Sequence, residues 1–466
     1  MRVLLCNPPA LKSGYQIPDI GLGYIATGLR KHGHDVDIFQ AELEPDFEAF
    51  RRRIQAFKPD VLGLKVMSVE IFSAKKCIEI ARSELPDVVT VIGGPHTTSA
   101  PLEDIFSYFE ALNFALRGEA EIALPKFIAV LESGGSDFSE VPGLAYRHGD
   151  SFIANPMLIH PNLDDFGIPA WDLIDPRNYP NRWYFWTPEW PGAPILTSRG
   201  CPYRCTFCGQ NIVTGKRVRR RSLKLVLEEM TLLINTYGVH DFDFTDDNFL
   251  MDAEYVREFC EEILKRGWKI RWNCCGARID FLDDALVRLM DRSGCNIISV
   301  GYESGSARVL DYMKKDLDLN MVRSKSRMIA RNSDIKIVGL FILGYPTETE
   351  AEIRKTIRLA TQLPLFAANF NTYIVIPGCE EYERLIASGE VERVPWDKLS
   401  LDEHTYTPEG LTFKRLKYLY YMAHVKFYLR PWIIWRFGRY SWRRFHQFFL
   451  RGIRKVLWRN PDPVAG

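Results

Sequence analysis

Short apolar segments rich in β-branched residues alternate with amphipathic segments along two long stretches of this chain. In residues 1–132 the strand-like segments lie at 3–6, 36–39, 61–66, 88–93 and 114–116, and amphipathic segments at 22–31, 47–57 and 71–83 separate them. This alternation predicts βαβ units that form a buried parallel sheet. Five such strands favour an α/β, flavodoxin-like (Rossmann-like) domain, whose ligand binds beyond the carboxyl ends of the strands.

The remaining residues divide into three predicted parts. Glycines and prolines punctuate residues 133–190, which we interpret as a connector between two domains. Six strand-like segments follow at 195–198, 242–245, 270–273, 297–301, 337–343 and 372–376, with helical segments at 223–237, 253–266, 283–293 and 350–363. Residues 191–400 are therefore predicted to form a partial (β/α)6 TIM-type barrel, with active-site residues on the loops after the strands. Residues 401–466 are predicted to form a helical C-terminal extension.

The formal net charge of +1 is unevenly distributed. Thirteen Lys or Arg residues and no Asp or Glu lie between Gly410 and Asp462, among many aromatic residues. Helices of this composition can pack on the barrel or lie on an anionic membrane surface, whereas no recognised nucleic-acid-binding module is present. We expect helical packing with weak membrane association. Because we find neither a spanning apolar run nor a signal peptide, we expect a cytoplasmic protein, peripheral to the inner membrane face if the tail binds lipid.

Three of the ten cysteines, Cys201, Cys205 and Cys208, lie within eight residues of one another. The spacing of the others does not indicate a disulfide framework. Three thiolates on one short loop can hold three irons of a cubane cluster and leave the fourth iron open to S-adenosylmethionine (SAM). The alternative is a structural zinc site, which takes four protein ligands, but His160 and His240 are each more than thirty residues away. The spacing therefore favours a 4Fe-4S cluster.

Polar residues follow the next four predicted barrel strands. They include Asp246 after the second strand, Arg278 after the third, Glu303 and Ser304 after the fourth, and Glu348 after the fifth. Carboxylates can accept hydrogen bonds from the ammonium or ribose hydroxyls of SAM, and an arginine can pair with its carboxylate. A side chain such as Asp246 could instead cap the helix that follows.

With Phe207 before the last cysteine, the three cysteines match the cluster ligands of radical SAM enzymes, and the chain resembles that superfamily. In the front domain, glycines near the predicted strand ends would let a large planar ligand approach the backbone. The candidate ligand contacts there are Asn7, Pro8, Gly21, Gly23, Ser68, Gly93, Gly94, His96, Gly118 and Glu119. Without a ligand, the same pattern would form tight turns and helix caps. Over residues 1–400 the combination resembles the cobalamin-dependent radical SAM enzymes, which implies that the front domain binds cobalamin.

The resemblance also implies an activity. It predicts a methyltransferase that acts on an unactivated carbon of a small-molecule or lipid-like substrate, through a 5′-deoxyadenosyl radical and methylcobalamin, with an electron donor such as flavodoxin or ferredoxin. The chain lacks an Asp-x-His-x-x-Gly motif after its first strand, which implies cobalt without a histidine ligand from the protein. Two alternatives stay open: an oxidative cyclase or ring-rearranging enzyme similar to magnesium-protoporphyrin ester cyclase, and a non-catalytic corrinoid or iron–sulfur sensor.

Overall fold

The computed structural model describes residues 1–9, 17–41, 43–179, 191–391 and 406–435. The first of its sheets has the predicted flavodoxin-like strand order. Five parallel strands lie in the order β2-β1-β3-β4-β5. The strands are β1 (Arg2–Asn7), β2 (Asp35–Gln40), β3 (Val61–Lys65), β4 (Val89–Gly93) and β5 (Phe114–Leu116), and the helices are α1 (Ile20–Lys31), α2 (Phe47–Phe57), α3 (Ile71–Glu84), α4 (Pro95–Ser99), α5 (Leu102–Tyr108) and α6 (Ala120–Glu132). The order reverses between β1 and β3, which is where such a sheet binds its ligand.

A hairpin from the predicted connector extends this sheet. Strands β6 (Leu144–His148) and β7 (Ser151–Ala154) pair antiparallel with each other, and β6 pairs antiparallel with β5. The hairpin is held by an aromatic cluster in which the ring centroid of Tyr146 lies 5.9 Å from that of Phe114 and 5.5 Å from that of Phe138. The first sheet therefore extends past residue 132, where the sequence interpretation ended the front domain.

The second sheet is a six-stranded parallel sheet, as expected for a partial barrel. Its order is β8-β11-β12-β13-β14-β15. From residue 192 the strands are β8 (Gly192–Ile195), β9 (Ser198–Arg199), β10 (Arg219–Arg220), β11 (Asp241–Phe244), β12 (Arg271–Ala277), β13 (Cys295–Glu303), β14 (Lys336–Leu343) and β15 (Ala367–Thr372). The helices are α7 (Gln210–Val213), α8 (Leu223–Tyr237), α9 (Ala253–Arg266), α10 (Asp284–Arg292), α11 (Ala307–Tyr312), α12 (Leu319–Asn332), α13 (Glu350–Gln362), α14 (Glu380–Ala387) and α15 (Phe413–Tyr428).

The two edge strands of the barrel differ from the prediction. The first strand ends at Ile195, where the predicted segment begins, and includes Pro194. A proline is tolerated there because β8 is an edge strand and one side of its backbone is not paired. The last strand ends at Thr372, where the predicted segment begins. Its alanines and asparagines lack the β-branched pattern that marks the central strands.

Helix α15 packs against the last strand of the barrel. Leu416, Leu419, Ala423 and Phe427 are its buried residues, and the ring of Phe427 lies 6.3 Å from that of Phe370. The hydroxyl of Tyr428 donates to the Ala368 carbonyl over 2.9 Å. The expected helical extension is therefore present up to residue 435, and the rest of the basic tail lies outside the described residues. Among the described helices, none is long and apolar enough to cross a membrane.

Candidate functional site

The three clustered cysteines lie on a closed loop of residues 200–218, called here the cysteine loop. Its base is the antiparallel pair β9–β10, in which Arg199 is opposite Arg219. Gly200 has φ +96°, and a Cβ at this position would lie 2.2 Å from the Arg217 carbonyl oxygen. Only glycine fits such a close approach. The backbone N–H of Cys201 donates to the Gly215 carbonyl over 3.2 Å, so the loop is closed immediately before its first thiol.

The thiols of the cysteine loop are accessible, unlike most other cysteines. Cys201, Cys205 and Cys208 are half-buried, and of the other seven only Cys275 is not buried. Partial burial raises the pKa of all three thiols, that of Cys208 to about 11, so coordination itself must supply the thiolates. Within the described ranges, no three His, Cys, Asp or Glu side chains surround a single metal position. Cubane ligands bind three different irons and need not converge on one point.

Two carboxylates after β11 fasten the base of the cysteine loop. Buried Asp246 accepts the Thr197 N–H over 2.7 Å and the Ser198 hydroxyl over 2.6 Å, and it also accepts the Thr197 hydroxyl. Asp247 accepts the Gly200 N–H over 2.9 Å, and the same oxygen accepts the Thr214 hydroxyl over 2.8 Å. The sequence predicts that Asp246 contacts SAM. The structure gives it an anchoring role, and a contact with SAM stays a prediction.

Arg278, also predicted to contact SAM, forms hydrogen bonds and an ion pair with other residues of the chain. Its guanidinium pairs with Asp280 and donates to the carbonyls of Lys315 over 2.7 Å and Asp316 over 2.6 Å. The same guanidinium lies 4.0 Å from the ring centroid of Tyr203, on the cysteine loop. Arg278 therefore supports the loop from the barrel side, and its predicted contact with SAM is untested.

The fourth barrel strand ends in a strained turn at Glu303, which Ser304 follows. Glu303 has φ +58° and accepts a hydrogen bond from the Lys315 ammonium over 2.9 Å. Both side chains are about nine-tenths buried. The fully buried Ser304 hydroxyl lies 3.2 Å from that of Thr356. A non-glycine residue with positive φ is uncommon and often marks a functional turn, which keeps Glu303 as a candidate contact for SAM.

Phe207 belongs to an aromatic cluster that the sequence interpretation missed. Its ring lies 6.3 Å from that of Tyr345, which in turn lies 4.8 Å from that of Tyr373. The hydroxyls of Tyr345 and Thr206 are 2.7 Å apart. These tyrosines are distributed over separate strand ends, and only their distance in space reveals the cluster. It packs one side of the cysteine loop against the barrel.

The front domain presents glycine-rich turns at the carboxyl edge of its sheet. Gly94 has φ +97°, and a Cβ there would lie 3.1 Å from both the N and O of Val66. Gly118 has φ +82°, and Gly93 precedes Gly94 at the end of β4. Both positive values favour glycine. Gly93, Gly94 and Gly118 are half-buried, so the backbone of these turns is partly accessible at the edge where a large planar ligand would bind.

His96 and Ser68 contact each other at the same edge. The His96 side chain is fully buried, and its Nδ1 lies 3.1 Å from the Ser68 hydroxyl. Burial lowers the pKa of His96 to about 4. The imidazole is therefore neutral at physiological pH. Whether it contacts a ligand stays a prediction.

The remaining predicted contacts of the front domain lie on β1 and α1. Asn7 and Pro8 are buried at the end of β1, next to the reversal of strand order. A Cβ on Gly23 would lie 2.8 Å from Cδ1 of Ile174 and 2.9 Å from Cβ of Pro169, so this glycine is needed for packing of the connector. Gly21 lies in the first turn of α1.

Glu119 joins the front domain to the cysteine loop. Its carboxylate accepts from Arg219 over 2.8 Å and from Arg199 over 3.1 Å. Glu121 accepts from the other terminal nitrogen of Arg199 over 2.5 Å. Glu119, predicted as a cobalamin contact, is thus part of an interdomain charge cluster formed by these four residues.

Exposed apolar side chains lie at the ligand edge of the front domain. Met67 and Val69 follow β3 and are 39% and 41% exposed, and Met157 follows β7 and is 42% exposed. A Cβ on Gly118 would contact Met157 at 3.5 Å. Helix α4 of the front domain packs against α7, which lies within the cysteine loop. The ligand edge of the front domain and the cysteine loop are therefore in direct contact.

Both halves of the chain match protein-family models. Residues 195–360 match the Radical SAM superfamily, and residues 8–128 match the B12 binding domain. The first range contains the cysteine loop, and the second contains the glycine-rich edge of the front domain.

Known proteins are similar to this chain over most of its length. An uncharacterized methyltransferase, PH0819 of Pyrococcus horikoshii, is 29% identical over 93% of this chain and 94% of its own. The anaerobic magnesium-protoporphyrin IX monomethyl ester cyclase of Rubrivivax gelatinosus is 26% identical over 88% and 74%. Among solved structures, the radical SAM methyltransferase TsrM of Kitasatospora setae, with cobalamin and a [4Fe-4S] cluster bound, has a TM-score of 0.71 at 17% identity, covering 92% of this chain and 91% of its own.

Proposed function

Because the chain belongs to the cobalamin-dependent radical SAM enzymes, we propose that it transfers a methyl group to an unactivated carbon of a small-molecule substrate. The observation that carries this proposal is the contact between the two sites: the ligand edge of the front domain packs on the cysteine loop through α4 and α7 and is joined to it by the Glu119–Arg219 pair. Two reactive cofactors must lie close together for one to act on a substrate activated by the other.

The residues of the chain fit the proposed cofactors. Cys201, Cys205 and Cys208 would hold the cluster. When bound, the cluster and SAM supply a radical that removes a hydrogen atom, and cobalamin supplies the methyl group. The half-buried glycine turns at Gly94 and Gly118 would receive the corrinoid, with contributions from the other front-domain residues predicted above. The exposed apolar side chains after β3 and β7 would exclude water from its faces. On the barrel side, Phe207, Asp246, Arg278, Glu303 and Ser304 remain the proposed neighbours of SAM.

Anaerobic reconstitution tests the proposal. The protein, loaded with iron, sulfide and cobalamin, is incubated with SAM, a strong reductant and small-molecule extracts, and the products are identified by mass spectrometry. A methyltransferase of this kind gives a methylated product together with 5′-deoxyadenosine and S-adenosylhomocysteine. Absence of SAM cleavage by a fully loaded protein contradicts the proposal and would favour a corrinoid or iron–sulfur sensor.

An oxidative cyclase is the second candidate. Its support is the similarity to the cyclase of Rubrivivax gelatinosus, which extends over 88% of this chain. The two activities differ in the mass of the product, because a cyclase forms a ring without adding a methyl group. A product that lacks the added methyl, formed with 5′-deoxyadenosine alone, would decide for the cyclase.

We also propose that the enzyme is cytoplasmic and that its C-terminal region brings it to an anionic membrane face. Tyr418, Val425 and Leu429 of the α15 region are about half exposed, and Trp435 is 65% exposed. Basic side chains accompany them, and such a surface suits the interface of an anionic bilayer. Membrane binding would favour a hydrophobic substrate. Flotation with vesicles containing phosphatidylglycerol tests this, with pure phosphatidylcholine vesicles as the control. Failure to float with the anionic vesicles would contradict it.

A further inference from the structure

Helix α12 presents a row of three arginines on the outside of the barrel. Arg323, Arg327 and Arg331 follow one another at intervals of four residues, so they share one face of the helix. They line a groove of about 580 Å³ between α10 and α12. The other side chains of the groove are mainly polar and include Asn320 at one end and Asn332 at the other. The groove is therefore a cationic surface that follows the full length of the helix.

The positive charge of this groove is not neutralised within the described part of the chain. Its one carboxylate, Asp284, already pairs with Arg288 at 3.7 Å, and α12 itself contains no Asp or Glu. Arg323 donates to the Leu319 carbonyl of its own helix over 3.2 Å. Like charges four residues apart on a helix repel each other, so an acidic partner would stabilise the arrangement.

Three other surface arginines of the barrel are paired with carboxylates. Arg308 pairs with Glu352 at 2.6 Å, Arg384 with Glu381 at 2.6 Å, and Arg415 with Glu350 at 2.7 Å. An unpaired arginine row is thus not a general property of this surface, and it marks α12 as a surface for a charged partner.

The groove begins close to the cysteine loop. The Met313 carbonyl accepts the Thr206 N–H of that loop over 3.0 Å, and the Lys315 ammonium lies 5.7 Å from the Phe207 ring. Helix α12 starts four residues after Lys315, at Leu319, and four extended residues span at most about 14 Å. The front domain packs on the cysteine loop through α4 and α7, whereas α12 adjoins the loop through the barrel segment that contains Met313 and Lys315.

We propose that the α12 groove docks an acidic, low-potential electron carrier of the flavodoxin or ferredoxin class. The inference rests on the proposed function, since it needs a cluster in the cysteine loop. In the docked complex one electron passes from the reduced carrier to the oxidised cluster, and no bond forms or breaks. Complementary charge accelerates such encounters and makes them sensitive to salt.

Charge reversal tests the proposal. In the variant R327E/R331E, reduction of the cluster by photoreduced flavodoxin, followed by absorbance at low ionic strength, should be slower by roughly 10-fold or more. Affinity for flavodoxin, measured by calorimetry, should fall in parallel, and added salt should slow the unchanged protein toward the rate of the variant. The control variant K265E reverses the charge of a side chain on α9 that is 76% exposed, and it should retain the original rate. The charge-preserving variant R327K/R331K should also retain it.

A small reductant separates failure of this inference from failure of the proposed function. With titanium(III) citrate, which needs no docking surface, R327E/R331E should cleave SAM at the rate of the unchanged protein. Equal rates with flavodoxin in both proteins would overturn the docking site. Loss of binding to a single-stranded oligonucleotide, with electron transfer unaffected, would assign the groove to nucleic acid instead. If the unchanged protein does not cleave SAM with titanium(III) citrate, the proposed function is wrong, while flavodoxin affinity still reports on the groove.

Discussion

The carboxylate of Glu119 lies 2.8 Å from the guanidinium of Arg219, and the two side chains are 6% and 2% exposed. Glu119 precedes α6 of the front domain, whereas Arg219 is at the base of the cysteine loop. A buried charge is costly unless it is paired and hydrogen-bonded. The pair therefore forms only when the two halves of the chain meet in one arrangement. It fixes the position of the cysteine loop relative to the ligand edge of the front domain.

Removal of Glu119 should destabilise the chain strongly. Glu119→Ala leaves the Arg219 charge buried without its main partner, and loss of one member of such a pair costs about 3–5 kcal/mol. Urea denaturation of the apoprotein, followed by circular dichroism, would measure the loss as a lower unfolding midpoint. The control is Glu132→Ala, because Glu132 is 41% exposed and its contacts with the amino terminus and His34 are solvent-accessible on its side. That change should cost less than about 1 kcal/mol, and equal effects of the two substitutions would contradict the argument.

Helix bounds in the barrel were predictable from local signals. The predicted helices 223–237 and 253–266 agree with α8 and α9, which begin after the capping side chains of Ser222 and Asp252 and end before Gly238 and Gly267 in the left-handed conformation. Helix caps of this kind depend only on residues that are neighbours in the sequence. The strand order of the front domain was predictable as well, because five strands with helical crossovers allow few topologies.

Partners of the strand-end carboxylates were not predictable in this way. Asp246 meets Thr197 and Ser198, and Glu119 meets Arg219, at separations of 48 to 100 residues. A carboxylate at a strand end can bind a ligand, cap a helix or anchor a neighbouring loop, and the local sequence is the same in each case. Only the packing of the two halves decides which backbone donors reach it.

Asp246→Ala should lower the iron content of the reconstituted protein. Asp246 is fully buried and accepts three hydrogen bonds from residues just before the cysteine loop, so its removal leaves those donors unsatisfied, at about 1–3 kcal/mol each. Iron and acid-labile sulfide per chain, measured after reconstitution, should fall severalfold. The control Asp283→Ala removes a helix cap that does not touch the loop and should leave the iron content unchanged. Full iron content in Asp246→Ala with loss of SAM binding would instead show that Asp246 is a SAM ligand.

The neutral, buried state of His96 should make the front domain sensitive to acid. Its pKa is about 4 in the folded chain against 6.5 ordinarily, so the unfolded chain binds more protons between these values. The neutral His96 side chain contributes its full stabilisation above about pH 6.5. As the pH falls toward 4, the free energy of unfolding decreases by at most about 3 kcal/mol because of this group. The substitution His96→Gln should flatten this part of the stability profile, measured by urea denaturation from pH 4 to 8. An unchanged slope would contradict a neutral imidazole in the fold.

Each cysteine of the loop should be required for the cluster, whereas an equally accessible cysteine elsewhere should not. Cys201→Ala, Cys205→Ala and Cys208→Ala each leave two thiols, which cannot hold three irons of a cubane. We expect iron to fall from about four per chain to background, with SAM cleavage lost. Cys275 is the matched control, because it is also half-buried and lies in β12, outside the loop. Cys275→Ala should keep both iron and cleavage. Anaerobically purified protein that contains about one zinc per chain and no sulfide would exclude the cubane, because a zinc site needs none.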